Sequence, residues 1–74
     1  MSRPKVTRTA VRSSLLSSVG YSIDATLDLE LRSGAVYRYF AVPRAVFDRL
    51  IAAESKGIYF NRNIRNRFSY QPLS

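Results

Sequence analysis

The 74-residue chain contains no cysteine and no histidine. Without cysteine there is no disulfide and no thiolate zinc site to staple a small fold. Without histidine the commonest general base and the commonest metal ligand are both missing. Four serines cluster at Ser13, Ser14, Ser17 and Ser18, yet no Ser/His/Asp relay can be built around them. No metal or nucleotide motif is present, so no cofactor is expected. Long apolar runs are absent too: nothing approaches the roughly 20 residues of a membrane span, and "MSRPKVTRTAVR" lacks the apolar centre of a signal peptide. A cytoplasmic, non-enzymatic protein is the expectation.

The chain is also short of acid. Twelve Lys and Arg stand against five Asp and Glu, a net charge of +7. The excess sits at the two ends. Residues 1–12 carry Arg3, Lys5, Arg8 and Arg12, and residues 55–74 carry Lys56, Arg62, Arg65 and Arg67, with no acid in either stretch. The middle, with four cations and five acids, is close to neutral. This asymmetry suits a polyanionic partner, although a small protein also needs net charge for solubility. A hydrophobic fraction of 46% with nine aromatics (five Tyr, four Phe) argues for a folded core.

Residues 1–12, with Pro4 and no apolar period, read as a flexible basic arm, and residues 13–74 as one domain. A first strand is expected over about Leu15–Ser22, with a bulge because the apolar parity changes between Leu16 and Val19. Leu27, Leu29 and Leu31 alternate with Asp28, Glu30 and Arg32, the period of a half-buried strand. Ser33-Gly34 supplies a turn, and Val36 to Val42 returns as the third strand. Pro43 opens a helix whose apolar face is Val46, Phe47, Leu50 and Ile51, and Gly57 reads as its C-terminal stop. A second helix is expected over about Tyr59–Asn66, with Phe60, Ile64 and Phe68 inward and Arg62, Arg65 and Asn66 outward. The tail is loose or adds a short edge strand. The expected architecture is α+β: a three-stranded antiparallel sheet followed by two helices on one face, with a C-terminal strand optional.

Three stretches are candidates for binding. In Tyr37-Arg38-Tyr39 the two tyrosines share one sheet face. A two-residue hairpin loop places them opposite Glu30 and Asp28, exposed and able to stack bases. A three-residue loop places them beside Leu29 and Leu27, in the core; a one-residue slip separates the two readings. Lys56-Gly57 precedes free helix N–H groups, an anion site or simply a capped junction. Arg62, Arg65 and Arg67, interleaved with Asn61, Asn63 and Asn66, form either a phosphate-gripping face or a solvated one.

The order of these pieces resembles a known small module. "SSLLSSVGY" (13–21), "LDLELRSGAVYRYFAVP" (27–43) and "VFDRLIAAESKGIYFNRNIRNRF" (46–68) resemble the KTSC domain. That domain is named for its place at the C-terminus of some lysyl-tRNA synthetases and also occurs alone in small bacterial proteins. The central Tyr-x-Tyr, Gly20-Tyr21, Val42-Pro43 and "SKGxYFN" together carry the resemblance, which runs from Ser13 to Tyr70. Ala41 and Phe68 stand where polar and tyrosine residues would also be at home. The resemblance assigns no catalytic residue; attachment to a tRNA-charging enzyme implies RNA as a partner. The expectation is therefore a nucleic-acid-binding accessory module, RNA before DNA, monomeric or weakly dimeric. Lys56, Arg62, Arg65 and Arg67 would meet phosphates, with Tyr37 and Tyr39 for bases. The alternative is a protein–protein module that uses the sheet edge.

Overall fold

A computed structural model describes residues 8–73. Five strands and two helices follow in the order β1 (Thr9–Ala10), β2 (Leu16–Tyr21), β3 (Leu27–Leu31), β4 (Val36–Tyr39), α1 (Arg44–Ala52), α2 (Lys56–Asn63) and β5 (Tyr70–Pro72). The strands form one antiparallel meander, β1-β2-β3-β4-β5. The α+β class and the central three strands match the expectation. The sheet is wider by one strand at each edge. β5 is the optional C-terminal strand. β1 lies inside the stretch read as an arm, where Thr9 and Ala10 pair with Val19 and Ser18 and the Val11 N–H donates to Ser17 C=O. Residues 1–7 of that stretch lie outside the described residues.

The bulge in β2 is where the parity change placed it. Leu16 faces Leu31, Ser18 faces Glu30, and the register shifts between them. The extra residue returns Val19 to the side of Leu29, so both apolar pairs reach one face. Ser13 shapes the entry, its Oγ accepting the N–H groups of Leu15 and Leu16 at 3.1 Å each.

The hairpin between β3 and β4 takes the three-residue loop. Leu31 N–H donates to Ala35 C=O at 2.8 Å, and Gly34 adopts φ +98° between them. Leu29 therefore faces Tyr37 and Leu27 faces Tyr39. The two-residue alternative, with both tyrosines on the open face, is overturned. Burial decides this register: the other one would set Arg38 opposite Leu29, inside the apolar layer, and turn both tyrosines out.

The helices cover the apolar sheet face. Leu16, Val19, Leu27, Leu29, Tyr39 and Val42 form the core with Leu50, Phe60 and Ile64. Of the apolar face expected for α1, Leu50 is buried, Val46 and Phe47 are partly buried, and Ile51 is 41% exposed. α1 stops without glycine, at an extended Ala53. Gly57 is not its terminator. It lies inside α2, where an added Cβ would stand 3.1 Å from Leu15 Cβ. Its function is close approach of the helix to the start of β2. α2 thus begins three residues earlier than expected, capped by the Ser55 side chain on Ile58 N–H, and ends at Asn63. Arg65 and Asn66 lie in the turn beyond it, which leads to β5.

The opposite sheet face closes on itself. Asp28 and Arg38 are cross-strand partners and form a two-pronged ion pair at 2.8 and 2.9 Å. Ser18 Oγ donates to Glu30 at 3.1 Å beside them. Hydrogen bonding to Asp28 raises the Arg38 pKa further above its ordinary value.

A cationic, tyrosine-walled cleft as the candidate functional site

Where the turn after α2 meets β4 and β5, the surface opens into a cleft of about 360 Å³. Its walls are Tyr37, Tyr39, Tyr70 and Phe60, its floor includes Leu15 and Leu31, and Arg65 and Asn66 complete its rim. Antiparallel register explains the wall. β4 places Tyr37 and Tyr39 on the helix-facing side, and β5 sets Tyr70 directly opposite Tyr39. The rings meet at angles: Tyr37–Tyr70 at 5.7 Å and 78°, Tyr39–Tyr70 at 5.4 Å and 33°, Tyr39–Phe60 at 5.8 Å and 80°. None of the three pairs is a parallel stack, the arrangement that covers a face of both rings.

Exposure grades along the cleft. Tyr39 is 3% exposed and belongs to the core, Tyr37 is half-buried, and Tyr70 is 53% exposed. Burial pushes the Tyr39 phenol up from its ordinary pKa of 10.0; Tyr70 adds to this, and the Arg65 guanidinium pulls the other way. Arg65 thus lies close enough to act on a buried ring of the cleft.

Arg62, Arg65 and Arg67 are exposed at the end of α2. Their polar contacts are local: Arg65 Nη1 donates to Asn61 Oδ1 at 3.3 Å, and Arg67 Nε donates to Arg62 C=O at 3.4 Å. Among the described residues none of them pairs with a carboxylate; the ion pairs there are Arg38–Asp28 and Arg44–Asp48. Arg67 and Ser69 continue the rim as an open depression beside the cleft.

Of the residues expected to bind, Arg65, Tyr37 and Tyr39 come together, and Arg62 and Arg67 flank them. Lys56 does not join. It starts α2, about 12 Å of helix away from the arginine end, and its Nζ donates to Ala53 C=O at 3.1 Å. The Ser55 side chain takes one N–H of the α2 N-terminus, that of Ile58. Tyr70 is the residue that sequence reasoning missed. Its signal was a tyrosine with period-two spacing from Phe68 in a tail too short to read as a strand. Among the described residues no three His, Cys, Asp or Glu side chains gather as a metal site, and no helix is long and apolar enough to cross a membrane.

The fold and the cleft together define a small α+β module: a five-stranded meander under a helical pair, open at one corner. Residues 12–68 match the model of the KTSC domain, and the chain belongs to that family. It is 28% identical to a KTSC domain protein from Yersinia pestis whose crystal structure superposes with a TM-score of 0.90, over 95% of this chain and all of that one. It is 47% identical over 53 residues to a lysine–tRNA ligase of Trichormus variabilis, a match covering 72% of this chain and 9% of the ligase. An uncharacterised protein of Stutzerimonas stutzeri is 46% identical over 56 residues, 74% of this chain and 79% of its own length.

Proposed function

We propose that this domain is an RNA-binding accessory module with no catalytic role, gripping a single strand at the α2 end. Arg62, Arg65 and Arg67 take phosphates, and the adjoining cleft receives what the strand presents. The observation that carries this reading is the juxtaposition of three arginines, none paired with a carboxylate among the described residues, with a tyrosine-walled cleft. Phosphate contacts position a strand and aromatic faces hold its bases, so the two features are complementary. Lysine–tRNA ligases that carry a related segment over 9% of their length supply a context in which tRNA is at hand. Lys56 contributes long-range attraction only.

The sheet-edge alternative has less support. β1 is two residues long. On β5, Ser69 C=O and Leu73 N–H bond β4, so position 72 points outward, and Pro72 has no N–H to offer a partner strand.

The test is a titration of the domain with tRNA and with single-stranded RNA and DNA at several salt concentrations. Three phosphate contacts on a single strand predict a log–log slope of about −2. A slope near zero, or no binding at low salt, contradicts the proposal. Tighter binding of DNA than of RNA would keep the surface and reassign its ligand.

A further inference from the structure

We infer that the cleft between Tyr37, Tyr70 and Arg65 is a single-base pocket: it takes one unstacked nucleobase, with the adjoining phosphate on Arg65 or Arg67. The inference rests on the RNA-binding reading and deepens it, from aromatic faces that meet bases in general to a pocket that takes one base.

The volume, about 360 Å³, lies at the small end of ligand pockets and suits one ring system with part of its sugar, not a helix. The walls supply what a base requires. Tyr70 is half out in solvent, meets Tyr37 edge-on and lies tilted by 33° against Tyr39, so neither neighbour stacks parallel on its ring. A base has a π-face whatever its identity, so stacking there tolerates every sequence. Asn66, on the rim, brings an amide with two donors and an acceptor, the group that pairs with base edges. Arg65 lines both the cleft and the open depression that continues along Arg67 and Ser69. A chain entering the cleft by its base therefore leaves its phosphates along the arginine side. No acid lines either hollow, so nothing there repels a phosphate. The same lining is a poor fit for a free cation.

The experiment compares a short single-stranded RNA with an abasic strand of the same length and phosphate count, on the intact chain, by NMR titration. A base in the pocket makes the base-bearing strand bind roughly 10-fold tighter, with shifts at Tyr37 and Tyr70. Tyr70→Ala removes that difference and leaves the salt slope; Arg65→Ala weakens both strands. Equal, salt-sensitive affinity for the two strands overturns the base pocket and leaves RNA binding standing. Binding of neither strand overturns both. The abasic comparison is made on the unaltered protein, so it decides even if Tyr70→Ala does not fold.

Discussion

Two clusters of arginine and aromatic rings lie on the same sheet face, and they behave oppositely. In the first, on the β2 side, Tyr21 and Phe47 stack at 5.0 Å and 15°, and Arg44 lies 5.7 Å and 5.8 Å from their centroids. Arg44 Nε also reaches Asp48 at 3.2 Å, and the Tyr21 hydroxyl donates to Val42 C=O. Rings are face to face, and the cation has its anion. In the second, on the β4–β5 side, two ring pairs meet edge-on and Tyr39–Tyr70 is tilted by 33°, and Arg65 has no carboxylate among the described residues. The two lie in one transverse row, since Tyr21 pairs with Leu27, Leu27 with Tyr39, and Tyr39 with Tyr70. Residue type alone therefore does not mark a site. What distinguishes the second cluster is open volume and an unneutralised cation.

The largest expected effect separates core from surface within the second cluster. Tyr39→Ala removes a buried ring and should cost about 3–5 kcal/mol, comparable with the whole stability of a domain this size. Thermal melting should show an unfolded or barely folded chain. Tyr70→Ala, at an exposed edge, should cost about 1 kcal/mol or less.

The next effect concerns charge. Arg62→Ala, Arg65→Ala and Arg67→Ala together should flatten the salt slope from about −2 towards zero, with thermal stability nearly unchanged. An unaltered slope would remove the α2 end from the binding surface and break the comparison.

A smaller effect is confined to alkaline solution. Burial raises the folded-state pKa of Tyr39 above 10.0, so the neutral phenol is the form the fold prefers. Its contribution is fully present below about pH 10 and is lost as pH climbs through the raised value, because the unfolded chain ionises first. Stability measured against pH should fall in that window, and Tyr39→Phe should lessen the fall.

The smallest effect belongs to the closed cluster. Arg44→Ala breaks an exposed i,i+4 pair and a cation–ring contact, a cost of about 1 kcal/mol at most, and should weaken RNA binding far less than Arg65→Ala. Equal losses from the two variants would show that binding follows net charge and not the cleft.

Much of this fold could be read from residue order, and the misses have specific causes. The alternation of Leu27, Leu29 and Leu31 is a burial pattern, and the parity change before Val19 is its bulge; both are local. The hairpin register was open because Ser33-Gly34 serves a two- or a three-residue loop equally well. The choice depends on which faces are buried, a property of the whole sheet. Gly57 misled for a related reason: a glycine needed for close approach to Leu15 looks the same in sequence as one that ends a helix. Thr9–Ala10 and Tyr70–Pro72 have too few residues for a period, and they are strands because the edges of β2 and β4 are there to pair with. The arginines of the site were legible as an acid-free run. Tyr70 was not, since its place beside Tyr37 exists only once β5 has docked.

The most direct test of the central claim is chemical-shift mapping of the intact chain as single-stranded RNA is added at low and at moderate salt. Salt-sensitive shifts centred on Arg62 to Tyr70 and on Tyr37, with the surroundings of Arg44 and Tyr21 still, are the predicted result. Shifts centred on Arg44, or spread over every exposed cation alike, would contradict the account.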